Sequence, residues 1–192
     1  MAVEIRTDRY PIAADVALWT DLSNIVAMVD AAYAIALNDT GITWGGSTEW
    51  NFPEPNGAIT PPHLAVVLDG FLEYLVGYAS VGQYHEPADE IQQRWSIGAY
   101  ALYPYEVGAR ETYTSPLDCA VRLQAAFRAH ANLDGQCDIV RCGPPMSGPV
   151  AERRPGDPPG AASGPVRWYG GYITIAATEF VRTEYQPGQF PP

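Results

Sequence analysis

Apolar residues recur at intervals of three and four along two stretches of the chain, a spacing typical of amphipathic helices. The first stretch, residues 16–38, spans about six helical turns and is followed by a polar, glycine-containing segment. Its apolar stripe consists of Leu18, Leu22, Ile25, Val29, Ala32, Tyr33 and Ala36, widened by Trp19 and Val26. The second stretch, residues 115–131, has a stripe formed by Leu117, Ala120, Leu123, Phe127 and Ala131. We therefore expect two helices, each with one face available for burial.

The residues at the ends of the second stretch indicate where its helix begins and ends. Ser115 suits the N-cap position, and Pro116 suits the first helical position, where a missing N–H has no cost. Asp118 places a negative charge in the first turn, where the helix dipole favours it. Gly135 can adopt the left-handed conformation that commonly ends a helix. These signals predict a helix over 115–131.

Two runs before the second helix are rich in branched and aromatic residues and predict strands. Residues 64–68 and 71–78 flank the dipeptide Asp69-Gly70, which predicts a tight β-hairpin. Residues 92–105 form the next predicted strand. Aromatic residues lie on both of its faces, which favours a central strand or one that faces a neighbouring subunit.

Two more strands are predicted after the second helix, over residues 137–142 and 166–185. The second of these is the longest predicted strand. Gly170 and Gly171 lie within it, and they predict a bulge or a close approach of another part of the backbone. The strands before and after the second helix together supply a sheet on which that helix can lie.

The connecting segments are long and have an unusual composition. The loop 41–63 combines aromatic residues with glycine and proline, and loops of this length usually have a function or pack against a partner. The loop 143–165 contains twelve glycine or proline residues, so we expect neither helix nor sheet pairing there. An N-terminal arm, 1–12, and a C-terminal tail, 186–192, complete the chain.

The order of these elements predicts a single α+β domain over residues 1–192. We expect two layers, in which a mainly antiparallel sheet of about four or five strands is covered by two helices. Long loops rich in proline and glycine should project from this domain.

The amino-acid composition argues against several classes of protein. The net charge is −11 and every basic residue is arginine, which argues against sequence-independent DNA binding by the whole surface. An odd number of cysteines, three, favours reduced thiols over a disulfide framework and therefore a cytoplasmic site of synthesis. No apolar run reaches the length of about 20 residues that a membrane span needs, so we expect a soluble protein.

No group of residues predicts an enzyme, a cofactor or a metal. Cys137 and Cys142 lie near His130, but the spacing of the two cysteines is wider than paired zinc ligands prefer, and buried thiols are favoured. The acidic turn around His85 offers an imidazole beside carboxylates without a nucleophile. Trp44-Gly45-Gly46 lacks the lysine and the strand–loop–helix context of a phosphate-binding loop.

Aromatic side chains are abundant in the loops and in the last strand. Such residues anchor protein interfaces and cores, and they also stack on sugars in carbohydrate-binding modules. Arg153-Arg154 is the only pair of adjacent basic residues, and it lies in the proline-rich loop. There it could bind an acidic partner or a phosphate, or it could be a solvated pair of charges without a binding role. The candidate interface residues are Trp44, Trp50, Phe52, Arg153, Arg154, Trp168 and Tyr169.

The part of the chain from Trp95 onward has a distinctive order of elements. An aromatic strand is followed by an alanine-rich helix that ends at Asn132-Leu-Asp-Gly135, a short strand, a loop, and a final strand that opens Val166-Arg-Trp-Tyr-Gly-Gly-Tyr-Ile-Thr-Ile175. With the helix that precedes the sheet, this pattern resembles the tail terminator (tail completion) proteins of long-tailed bacteriophages. It also resembles related neck and head–tail adaptor proteins.

This resemblance implies a structural, non-enzymatic virion protein that is made in the host cytoplasm and resides in the tail or neck. Such proteins form homo-hexameric rings that end tail-tube growth and join the tail to the head connector. The implied partners are sister subunits, the tail tube protein and the connector or adaptor proteins, and DNA passes through the lumen without specific binding. The loops 41–63 and 143–165 and the arm 1–12 are then candidate contacts to these partners. An alternative from another class is an aromatic-rich binding module for a glycan or a host factor.

Overall fold

The computed structural model of the protein describes residues 23–54, 58–75, 80–81, 84–85, 90–105, 114–152 and 162–182. Several predicted features lie outside these residues, namely the arm 1–12, the first turns of the N-terminal helix (16–22), the pair Arg153-Arg154 and the tail 186–192.

Helix α1, Ser23–Asn38, corresponds to the first predicted helix. It is rich in alanine, which favours helix. Of the described residues of the predicted stripe, Tyr33 is half-buried and the others are buried. The buried residues are Ile25, Met28, Val29, Ala32, Ile35 and Ala36. Val26 is instead exposed, so the prediction that it widens the buried face is wrong. The helix ends where the Thr40 hydroxyl donates to the Ala36 carbonyl and Gly41 adopts a positive φ of 64°.

Helix α2, Thr114–Ala129, corresponds to the second predicted helix. Ala120, Leu123 and Phe127 of the predicted stripe are fully buried, but Leu117 and Ala131, at its two ends, are exposed, and Ala131 lies beyond the last residue of the helix. Ser115 lies inside the helix, so its predicted N-cap role is wrong. Its hydroxyl is instead 3.0 Å from the hydroxyl of a tyrosine in the sheet.

A short 3-10 helix, Leu133–Gly135, ends the segment after α2. Gly135 has a φ of 89°, which confirms the predicted left-handed conformation. Leu133 and Asp134 also have positive φ values, 48° and 56°. The Leu133 side chain is fully buried, and its burial favours this turn despite the cost of the left-handed backbone.

The chain forms eight strands in its described part. They are β1 (Gly46–Glu49), β2 (His63–Leu75), β3 (Ser80–Val81), β4 (Tyr84–His85), β5 (Glu90–Pro104), β6 (Ile139–Cys142), β7 (Met146–Ala151) and β8 (Val166–Arg182). Strands β3 and β4 pair only with each other among the described residues. The other six form one sheet in the order β1-β2-β5-β8-β6, and β7 also pairs with β8.

The sheet is mixed, because β1 runs parallel to β2 whereas every other pair in it is antiparallel. The α+β class is therefore confirmed, with six strands in the sheet instead of four or five. The sheet does not close on itself, so β1 lies at one edge and β6 and β7 lie at the other.

The predicted hairpin at Asp69-Gly70 is wrong. A single long strand, β2, runs through both residues, and its pairing with β5 shifts register between Leu68 and Gly70. Asp69 is the extra residue of this bulge, and its side chain is buried and accepts a hydrogen bond from the Tyr100 hydroxyl at 3.3 Å. An aspartate–glycine pair suits a bulge for the same reason that it suits a turn, because both need a local departure from the regular strand.

Both long loops contain strands that the sequence analysis did not predict. Strand β1 lies within 41–63, and β7 lies within 143–165 and pairs with β8 despite its glycine and proline. Strands β6 and β7 follow one another along the same edge of β8, joined at Gly143, whose N–H donates to the Thr174 carbonyl at 2.7 Å. After β7, the Glu152 N–H donates to the Pro165 carbonyl at 2.9 Å, and residues 153–161 of the predicted loop lie outside the described residues.

One core joins both helices to one face of the sheet. It contains apolar residues of α1 and α2 together with residues of β2, β5 and β8, among them Leu64, Val66, Ile97, Ile173 and Ile175. Helix α2 lies directly on β8, and this confirms the predicted close approach at Gly171, where a Cβ atom would be 1.6 Å from the Pro116 carbonyl oxygen. The bulge offered as the alternative is not observed, because β5 and β8 pair there without a register shift.

Candidate functional site

Two of the predicted interface residues meet on the face of the sheet opposite the helices. The rings of Phe52 and Trp168 stack with their centroids 5.7 Å apart, and Phe52 also meets Tyr100 edge to face at 5.0 Å. Tyr100 in turn stacks on Tyr172 at 5.3 Å. Trp168 is only 4% exposed, and this cluster serves as a second, smaller core.

The two tryptophans of the loop 41–63 are anchored to helix α1. The Trp44 indole N–H donates to the Ala36 carbonyl at 3.1 Å, and the Trp50 indole N–H donates to the Asp30 carboxylate at 3.4 Å. Both rings are half-buried against the main core. The described part of this loop is thus folded back on its own domain, where the sequence analysis expected it to reach outward.

The remaining predicted interface residues are placed differently. Tyr169 is half-buried in β8 and already has an interaction within the chain. Arg153 and Arg154 lie outside the described residues. Of the described candidates, Trp44 and Trp50 are half-buried and flank the two ends of the edge strand β1.

The surface around β1 is acidic. Asp30 is exposed on α1, and Glu49 is the last residue of β1. Burial raises the pKa of the Glu49 carboxyl, and its hydrogen bond to Asp30 and the negative charge of Asp30 raise it further. Neither carboxyl forms an ion pair with a described residue. We call Val26, Asp30, Glu49 and Trp50 the acidic edge, because Val26 is exposed one helical turn from Asp30.

The opposite edge of the sheet carries arginine. Arg141 is exposed on β6, and Arg128 is exposed on α2. Burial raises the pKa of the Cys142 thiol, and the charge of nearby Arg128 offsets part of that rise. Within the described part of the chain, neither guanidinium is ion-paired. Ile139 and Met146 are 41% and 48% exposed along this edge. We call Arg128, Ile139, Arg141 and Met146 the basic edge; Asp138, next to it, has an interaction of its own within the chain.

His130 does not join the cysteines. Its two ring nitrogens lie 3.3 Å from an Asp39 carboxylate oxygen and 2.7 Å from one of Asp134, so it ties the end of α1 to the 3-10 turn. Burial raises the pKa of the Cys137 thiol to about 11. Cys137 precedes β6, whereas Cys142 is the last residue of that strand. Among the described side chains, no group of three potential ligands is arranged to hold a metal ion.

His63 occupies the other notable buried position. Its Nε2 lies 2.7 Å from the Thr48 hydroxyl, which links β1 to the start of β2. Its Nδ1 has no hydrogen-bond partner and lies over Gly46. Burial lowers the pKa of this imidazole. The arrangement therefore fits a neutral ring that holds the edge strand in place.

Local sequence patterns do not single out Asp30, Glu49, Arg128 or Arg141 as site residues. Each is an ordinary charged residue in its local sequence, and nothing in the spacing marks it. Their importance comes from the strand order, which brings two of them to one edge of the sheet and two to the other. The two edges are separated by four strand-to-strand steps, or about 19 Å.

Comparison of the sequence with models of known protein families and with curated proteins gives no match. In the part of the chain that the structure describes, every helix is too short or too polar to cross a membrane.

Proposed function

We propose that this chain is the subunit of a structural ring at the head-proximal end of a bacteriophage tail. In this role it ends growth of the tail tube and joins the tail to the head connector, or it acts as a closely related neck protein. It has no catalytic role, and it resides in the virion after synthesis in the host cytoplasm.

The observation that carries this proposal is an open sheet whose two edges lie on opposite sides of the domain. A subunit in a closed ring has to contact one neighbour with one surface and the next neighbour with a different surface. Edge strands present backbone groups that can pair with another chain, so an open sheet offers two such surfaces.

The order of elements also supports the proposal. Strand β5, helix α2, the short strand β6 and the long strand β8 follow one another in the order on which the resemblance to tail terminator proteins rests, and β7 lies in the segment predicted as a loop.

The net charge of −11 fits a ring around DNA. A lumen lined by carboxylates repels the phosphate backbone and lets DNA pass without being held. The aromatic cluster of Phe52, Tyr100, Trp168 and Tyr172 packs its rings largely against one another, so it adds no support to the alternative of a glycan-binding module.

The test is assembly of the purified full chain. Size-exclusion chromatography with light scattering should give one oligomer much larger than the subunit, and negative-stain images should show closed rings. When the chain is added to tail tubes, rings should cap one end of each tube and stop further growth, whereas tubes without the chain continue to elongate. A monomer that leaves tube growth unchanged would overturn the proposal.

A further inference from the structure

The acidic edge holds two carboxyls next to each other with no basic side chain among the described residues to balance them. Asp30 and Glu49 share a hydrogen bond, and the indole N–H of Trp50 is the neutral donor to this pair. Two neighbouring carboxyls repel once both are ionised, and a nearby cation removes this cost. An arginine supplied from outside the subunit would therefore be favoured here.

The basic edge offers such cations together with apolar contact. Arg128 lies on the helix side of β6, and Arg141 points to the opposite side of the sheet, because its β8 partner Ala176 lies on the face away from the helices. Ile139 points to the same side as Arg141. An exposed isoleucine and an exposed methionine at a sheet edge would gain from burial against another apolar surface.

We propose that neighbouring copies of this chain join head to tail, with the acidic edge of one copy against the basic edge of the next. The junction rests on the ring function proposed above. The contact is made by side chains at the two edge strands, because the Val140 N–H of β6 already donates to the Ala131 carbonyl and cannot pair with a neighbouring strand.

Glu49 pairs with Val66 of the main core, so it lies on the helix side of the sheet with Asp30, and the Arg128 guanidinium of the next copy then faces the two carboxyls. Arg141, Ile139 and Met146 lie at the same junction on the other face of the sheet.

Charge explains why unlike edges meet. Two acidic edges brought together would place four carboxyls in one contact, and two basic edges would place four guanidinium groups in one contact, and both arrangements are repulsive. Pairing of an acidic edge with a basic edge leaves one edge of each kind free at the ends of every dimer. Such an interface is heterologous, and it forms a ring when the rotation between copies closes.

The test uses two charge-reversed variants of the full chain. One carries Asp30→Arg and Glu49→Arg, and the other carries Arg128→Glu and Arg141→Glu. Each variant should remain folded by circular dichroism, and each alone should associate about tenfold or more weakly than the wild type. The first variant has a less negative net charge than the wild type, and the second has a more negative one. A general effect of net charge would therefore strengthen association in one variant and weaken it in the other.

Mixing provides the decisive measurement. An equal mixture of the two folded variants should restore association, because one junction then has native charges and the other has both charges reversed. The swap Asp118→Arg with Arg122→Glu, which reverses an exposed ion pair on α2 away from both edges, should leave assembly as in the wild type.

Two results would overturn the head-to-tail junction while leaving the ring intact as a proposal. One is a wild-type ring that persists in both edge variants, and the other is a mixture of folded variants that stays dissociated. A wild-type chain that is itself monomeric would instead overturn the ring function, so the two failures are distinguishable.

Discussion

The carbonyl oxygen of Pro116, in the first turn of α2, lies so close to Gly171 of β8 that no side chain fits between them. A Cβ atom on Gly171 would be 1.6 Å from that oxygen and 2.3 Å from the carbonyl carbon. Both atoms belong to the backbone, so a clash there cannot be relieved by rotating a side chain. Contact between helix and sheet at this point therefore depends on glycine.

We expect Gly171→Ala to lower the free energy of unfolding by about 3 kcal/mol, because α2 has to move away from β8. The measurement is the midpoint of chemical denaturation followed by circular dichroism. Gly148→Ala is the matched control, since this glycine also lies in a strand beside β8 but has no atom within 4 Å of an added Cβ. Equal midpoints for the two variants would contradict the close approach.

The end of α1 allows a test of cooperativity. The Ala36 carbonyl accepts from both the Thr40 hydroxyl and the Trp44 indole, each at 3.1 Å. Either donor alone keeps the carbonyl satisfied, so we expect Thr40→Val and Trp44→Phe each to cost about 1 kcal/mol. The double variant should cost more than the sum, because the carbonyl then loses both side-chain donors.

This cycle is measured by chemical denaturation of the four proteins. Thr40→Ser retains the hydroxyl and should remain close to the wild type. Strictly additive costs would show that the two donors do not act on the same carbonyl in solution.

Burial of His63 should make the free energy of unfolding depend on pH. Burial lowers its pKa from the ordinary value of 6.5, so the unfolded chain binds a proton at a higher pH than the folded protein does. The contribution of His63 to stability should therefore fall as the pH drops below 6.5, and it should stop falling once the folded protein is also protonated. One proton contributes a slope of at most about 1.4 kcal/mol per pH unit.

The measurement is the free energy of unfolding between pH 7.5 and 5.5 for the wild type and His63→Gln, which should be less sensitive to acid. His130→Gln serves as the comparison, because His130 is a partly exposed residue between two carboxylates. The prediction fails if His63→Gln loses stability toward low pH as steeply as the wild type.

Because the three cysteines are largely buried, we expect their thiols to react slowly in the native protein. Burial raises the pKa of all three thiols, that of Cys137 to about 11, so little of the reactive thiolate is present near neutral pH. We expect a thiol-specific chromogenic reagent at pH 8 to react slowly with the native protein and to modify three thiols rapidly after denaturation. Rapid modification of Cys137 in the native protein, identified by peptide mapping, would contradict its burial.

Local patterns in the sequence were sufficient to predict both helices, the strands β5, β6 and β8, and the left-handed turn at Gly135. These features depend on apolar spacing and backbone preferences over a few residues, so they can be predicted without knowing which distant residues pack against them. The same reasoning failed at Asp69-Gly70, because a bulge and a hairpin use the same residues. The difference lies in whether β5 continues as a partner on the far side of the dipeptide.

Long-range packing determined the rest. Strand β7 forms within a segment rich in glycine and proline because β8 is long enough to pair with it as well as with β6. Trp168 is buried because Phe52, distant in sequence, stacks on it. The charges of the acidic and basic edges acquire meaning only from the strand order, since residues far apart in the chain meet at an edge when the sheet between them has been assembled.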